Sequence, residues 1–272
     1  MSAVSEIKLD MPIYISLCIG LLAGTLRALQ GSYKDVPWED FNWMKFGRSM
    51  LLGSFGGLVW WIVLDLLGVT VRPALFFGMA VFFDSIATEI YKRGFRIEDL
   101  RKYKMPTIFH IQGKVIHNRF IRGILGIMIV SLLAGLFWLL FKLNWVGGWP
   151  FLAQGLVWGS FAGLMVAVGG ALLDSAWEGF EPFKFPRSIF HGAYWGVMFS
   201  TLETNPALLV FSILGMDRMG LEFYKSFLRK MKSGKFLSEK PVNVQWYSIR
   251  EKLLFPYMMV WMVFGYLLVV VR

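Results

Sequence analysis

Apolar residues in this chain gather into long blocks separated by short polar stretches. Runs near 11–31, 48–70, 73–91, 121–142, 150–173, 188–204, 206–223 and 253–271 each approach the roughly 17–25 residues that a helix needs to cross a bilayer. The two shortest meet at Asn205-Pro206, a turn signal that divides an otherwise very long apolar segment. The pattern therefore predicts an all-α integral membrane protein with eight transmembrane helices. No polar stretch is long enough to form a separate soluble domain. The first block has only Lys8 ahead of it and no small-residue cleavage pattern, so it reads as a retained helix rather than a signal peptide.

The pattern is also written twice. With an offset of 139, Gly20–Gly57 lies on Gly159–Gly196 without a gap, and 15 of the 38 positions are identical. Ordinary residue frequencies would give about two or three. The shared element is Asp35-x-x-Trp38-Glu39-x-Phe41-x-x-x-Lys45-Phe46-x-Arg48-Ser49, which recurs as Asp174, Trp177, Glu178, Phe180, Lys184, Phe185, Arg187 and Ser188. A second block follows at an offset of 133: Pro73, Asp84, Glu89, Tyr91, Lys92 and Arg96 match Pro206, Asp217, Glu222, Tyr224, Lys225 and Arg229. An internal repeat governs the whole architecture. Residues 1–145 read as one four-helix transmembrane repeat and 146–272 as the other. Four spans is an even number, so both copies enter the membrane from the same side. They are expected to be parallel repeats, related by a pseudo-twofold axis along the membrane normal.

Charge assigns the sides. If the loops alternate, one side holds 22 of the 28 Lys and Arg residues and the other holds Lys8, Arg72, Lys142 and Arg272. The positive-inside rule places the basic loops in the cytoplasm and both termini outside. The formal charge of +10 could also suit nucleic acid. However, these charges flank apolar blocks, where anionic lipid head groups attract each by about 1 kcal/mol. Membrane lipids are the expected partners, with protein partners in a membrane complex as a further option and no nucleic acid. Only 17% of residues are charged, against about 25% in soluble domains. The single cysteine, Cys18, excludes an intrachain disulfide and a multi-cysteine zinc site. The three histidines, His110, His117 and His191, are scattered without carboxylates at ligand spacing, so neither metal nor cofactor is expected.

Three groups of residues carry candidate chemistry. Gly20 and Gly24 recur as Gly159 and Gly163, and Gly53 and Gly57 recur as Gly192 and Gly196. Small residues four apart clear a helix face for close packing, which is a main source of helix association in hydrocarbon. The repeated polar motif (Asp35, Trp38, Glu39, Lys45, Arg48; Asp174, Trp177, Glu178, Lys184, Arg187) predicts a short amphipathic helix on the cytoplasmic surface, as an anchor, a docking surface or a head-group site. Glu39 and Asp35 are placed to pair with its cations or to cap the next helix.

Asp84 and Asp217 lie about eleven residues into their spans, roughly 16 Å along a helix. Ionisable groups at such depth point to function, and they are candidates for an ion or proton pathway together with Arg27. Thr88 is placed to bond Asp84. Glu89 is placed to pair with Arg93 and Lys92, and Glu222 with Arg218 and Lys225. Arg27 has Val166 as its counterpart, and its expected behaviour is to snorkel toward the inner surface. Asp65 and Glu203 are expected at solvated or head-group positions. The segment around Gly113 and the segment 240–245 alternate apolar and polar residues, which predicts short strands.

No G-x-x-x-x-G-K-[ST], G-x-S-x-G or H-E-x-x-H motif occurs, so no established catalytic constellation is present. The first expectation is a channel or transporter for a small ion or solute, not an enzyme. A non-catalytic membrane subunit or scaffold is the alternative, and a lipid-handling enzyme is the third.

Overall fold

A computed structural model describes residues 11–36, 38–96, 108–111, 113–143, 146–179, 182–228 and 246–270, with 111, 173–178, 184 and 246–247 described by their backbone alone. These residues form eight α-helices: α1 Ile13–Asp35, α2 Trp43–Leu67, α3 Pro73–Ile90, α4 Arg119–Lys142, α5 Phe151–Glu178, α6 Lys184–Ser200, α7 Pro206–Phe223 and α8 Trp246–Val269. A two-stranded antiparallel hairpin, β1 His110–Ile111 and β2 Lys114–Val115, precedes α4. It turns through Gly113 at φ 80°, so the strands expected around this glycine are present. The second expected ribbon, 240–245, lies outside the described residues.

Six helices, α1 to α5 and α8, are long and apolar enough to cross a membrane. The other two differ for separate reasons. α6 has only 17 residues. α7 carries Asp217, Arg218 and Glu222 within 18 residues. It can carry them because it is an inner helix, with every residue from Pro206 to Asp217 buried. The requirement for an apolar surface applies to helices that face lipid, and α7 faces protein over most of its length.

Local sequence marks the helix ends. The Asn42 side chain accepts from the Lys45 amide and caps α2, which stops at Gly68 with φ 64°. Asn118 and Asn205 cap α4 and α7 in the same way. α3 and α7 both begin with proline and both run into a π-helical turn, Tyr91–Phe95 and Tyr224–Leu228. Those turns are separated by 133 residues, the offset that aligns the two sequence blocks. The first repeated polar motif forms no separate amphipathic helix. It divides among the end of α1, a short turn and the first turns of α2, because the Asn42 cap starts α2 directly at Trp43.

The glycines bring two helix pairs into backbone contact. A Cβ placed on Gly53 would lie 2.4 Å from the Gly20 carbonyl oxygen and from the Gly24 amide nitrogen. One placed on Gly192 would lie 2.4 Å from the Gly159 carbonyl oxygen and 2.7 Å from the Gly163 amide nitrogen. Gly57 and Gly196 meet Ser16 and Gly155 backbone equally closely. The approach ends there: Gly31 and Gly170 have open space around them. Gly53→Leu and Gly192→Leu should each lower the melting temperature in detergent by at least the equivalent of the ~1–3 kcal/mol usual for overpacking, since helix backbones must separate. Gly31→Ala should be neutral or stabilising, by up to about 1 kcal/mol. Equal melting temperatures for all three variants would refute these contacts.

The centre is the α3–α7 pair. Ser212 donates to the Leu75 carbonyl at 2.9 Å, and Gly78 and Gly215 let the two backbones touch. Leu75, Phe76, Phe77, Val81, Leu208, Leu209, Ile213 and Met216 fill this layer, each fully buried. The fourth helix of each half crosses to the other. α4 lies on α7 and on the first π-helical turn, and α8 lies on α1 and α3. Aromatic contacts fix both crossings: Phe137 to Phe211 at 5.2 Å, and Phe264 to Phe77 at 5.1 Å. The outer faces of α4 and α8, including Ile127, Leu132, Trp138 and Met262, are exposed.

Candidate functional site

A cavity of 310 Å³ opens at the end of the bundle where α1 leads into α2. Its walls are the last turns of α1, the 38–42 connection, the first turns of α2, the end of α3 with its π-helical turn, His110 of the hairpin, and Arg218 and Glu222 of α7. Eight Lys and Arg side chains and five carboxylates line it. Most of the sequence candidates of the first copy meet here: Arg27, Asp35, Glu39, Lys45 and Arg48 all reach the cavity. Trp38 is buried beside them, in the turn after α1.

Much of this charge is paired, and two of the pairs cross between the halves. Arg218 of α7 donates to Glu89 of α3 at 2.9 Å, where Arg93 also binds at 3.2 Å and Lys92 approaches to 3.9 Å. Glu222 of α7 receives Lys34 of α1 at 2.8 Å and Lys225 at 3.2 Å. The i+3 and i+4 partners expected for Glu89 are thus present, as is Lys225 for Glu222. Arg218, expected on Glu222, reaches across to Glu89 instead. Lys45 pairs with Glu39, and the Arg48 guanidinium stacks 5.1 Å from the Tyr91 ring centroid.

Arg27 does not snorkel. Its Nε lies 3.4 Å from Asp84 Oδ2, its side chain is 10% exposed and Asp84 is fully buried. The neighbouring helix α3 offers a carboxylate, and a buried charge takes a partner in preference to bare hydrocarbon. Thr88 donates to the other Asp84 oxygen at 3.3 Å. Arg27 and Thr88 both line the cavity, so they form the link from open space to the buried acid.

Asp217 is held differently. His191 of α6 contacts it through Nδ1 at 2.5 Å. The two aspartates therefore face different helices, one paired with α1 and the other with α6. Sequence spacing alone hid this pair, because its members are 26 residues apart on separate helices. One signal did exist: the repeat is broken at matching places. Where the first copy has Arg27 and Leu52, the second has Val166 and His191. Each copy keeps a single base for its aspartate but supplies it from a different helix.

The remaining candidates scatter. Asp65 is exposed near the end of α2, and Glu203 accepts from the Thr204 and Asn205 amides in the turn before α7. His117 is exposed. Asp174, Trp177, Glu178 and Lys184 lie in α5 and α6, where only the backbone is described; Arg187 lines a separate groove. Among the described residues, no three His, Cys, Asp or Glu side chains are grouped to hold a metal.

Chemically, the cavity suits a small anion. Cations outnumber carboxylates, and guanidinium groups present forked donors that match phosphate or carboxylate oxygens. No protein-family model, curated protein or solved structure matches the chain.

Proposed function

We propose that this chain is a membrane transporter for a small anionic solute, built as eight spans in two parallel four-helix repeats. The basic loops are cytoplasmic, both termini are outside, and the solute loads from the cytoplasm. The observation that carries this reading is the cationic cavity at the junction of the two halves, crossed by Glu89–Arg218 and Lys34–Glu222. Solute sites of repeat-built transporters lie where the repeats meet. Ion pairs between the halves can exchange for contacts with an anion, which gives the halves a reason to move when it binds. Arg27 also lines the cavity, and its pairing with Asp84 joins the cavity to a buried carboxylate.

A second reading, a non-catalytic subunit of a larger assembly, is favoured by the filled α3–α7 centre, which has closely packed side chains along its length. Reconstitution separates the two. Inorganic phosphate and glycerol phosphate are the probes, tested for thermal stabilisation in detergent and for flux in proteoliposomes. Flux that falls at least about tenfold in Arg48→Gln, the loss of one charge-assisted interaction, supports the transporter. Stabilisation without flux points to a head-group or subunit role, and neither response removes the anion site altogether.

A further inference from the structure

A second opening lies on the other half of the bundle, and the polar cavity plays no part in it. A groove of 810 Å³ runs between α6, the end of α7 with its π-helical turn, and α8. This is within the roughly 300–1,000 Å³ of small-molecule sites. Its sides are apolar, with Phe190, Leu221, Phe223 and Met258 among them, and Phe190 is 75% exposed at its rim. Arg187, His191 and the Trp195 indole also line it, in a row along one face of α6.

The surroundings of Trp195 have the features of a built site. Trp195 is 7% exposed, and its indole Nε1 has no hydrogen-bond partner. A buried N–H without an acceptor is costly, and Trp normally finds one. The position where a Gly220 Cβ would stand is 3.3 Å from this nitrogen and 2.5 Å from His191 Nε2. Both nitrogens thus gather over Gly220, and only glycine leaves room for them. His191 is anchored by Asp217 through Nδ1 at 2.5 Å, which directs its other nitrogen to that place. The first copy of the repeat has Leu52, Gly56 and Ala87 where this half has His191, Trp195 and Gly220. All three residues of this half line the one groove.

We propose that this groove binds a phospholipid with an anionic head group, one acyl chain lying along the apolar wall, its phosphate at Arg187 and an ester carbonyl of its glycerol backbone accepting from Trp195. Charge complementarity selects this occupant. Arg187 supplies the positive charge, Trp195 a donor without a partner, and the aromatic and aliphatic wall excludes a free solute anion as the main ligand. Phe190, Leu228 and Met258, which line the groove, are exposed, so an acyl chain can reach it from the side.

The test uses the full chain in nanodiscs with a phosphatidic acid carrying a diazirine in its acyl chain, and a diacylglycerol carrying the same group. Phosphatidic acid should label the 190–195, 220–228 and 258–261 segments. Arg187→Gln should lower that labelling about tenfold, the loss of one charge-assisted hydrogen bond, to the level given by diacylglycerol. Met258→Trp, which fills the groove, should lower labelling by both lipids. Equal labelling by the two lipids, unchanged in Arg187→Gln, would mean an unspecific lipid-facing surface and overturn the proposal. A photoreactive residue at position 190 that cross-links to a second copy of the chain, rather than to lipid, would overturn it too. Arg187→Lys, which keeps the charge, guards against a folding artefact by retaining preference for phosphatidic acid.

Discussion

Arg27→Ala should destabilise the folded chain by about 3–5 kcal/mol, the usual cost of removing one partner from a buried ion pair. Asp84 is fully buried, and besides Arg27 it has the Thr88 hydroxyl as a hydrogen-bond donor. Without Arg27 the carboxylate must be accommodated with little compensation. Asp84→Asn should cost less, because the stranded charge is then Arg27, which borders the polar cavity and can draw on its carboxylates and on water. Arg27→Leu combined with Asp84→Leu should recover most of the stability, since a well-packed apolar pair often replaces a buried ion pair without loss. The double variant would still lose anion-dependent behaviour if Arg27, as part of the cavity lining, matters to function. Thermal unfolding of the four proteins in one detergent measures the order. A double variant as unstable as Arg27→Ala would show that the two side chains do not act as an isolated pair.

The sequence carried the helices and the glycine contacts more clearly than the site. Periodicity and block length are local properties, and Asn42, Gly68, Asn118 and Asn205 mark helix ends through their own side-chain or backbone chemistry. Glu89 with Lys92 and Arg93 was legible for the same reason, since i+3 and i+4 neighbours share a helix face. Arg27 with Asp84, His191 with Asp217, and Arg218 with Glu89 were not, because which helix faces which is decided by packing over the whole bundle. The π-helical turns were also hidden. They rotate the ends of α3 and α7 by a fraction of a turn, and no residue type specifies them. The amphipathic surface helix was expected from composition, but a single cap at Asn42 turned its polar residues into the opening of α2 and so into a wall of the cavity. One broken position of the repeat, Arg27/Val166, was read from the sequence; Leu52/His191 stood beside it unremarked. The meaning of both required knowing that Arg27 and His191 each lie beside a buried aspartate.

The largest effect should come from dividing the chain in the connection between α4 and α5. Residues 1–145 and 146–272 each contain four helices, yet neither half should hold its structure alone. α4 rests on α7, and α8 rests on α1 and α3, so each half donates its last helix to the other. In hydrocarbon, exposing an apolar face costs little, because lipid replaces protein contacts. The cost comes from the charged groups. Separation removes Arg218 from Glu89 and Lys34 from Glu222, part-buried charges that are expensive to leave unpaired. Each half expressed alone should therefore be degraded or self-associate. The two expressed together should assemble and copurify through a tag on either one. Glu89→Arg in the first half should reduce that recovery several-fold, and Arg218→Glu in the second should restore part of it by reversing the pair, as expected for a pair whose coupling is about 0.5–3 kcal/mol. Each half behaving alone as a monodisperse, protease-resistant protein would show that the crossed helices and the ion pairs between the halves are dispensable, and the transporter reading would then lose the interface on which its cavity depends.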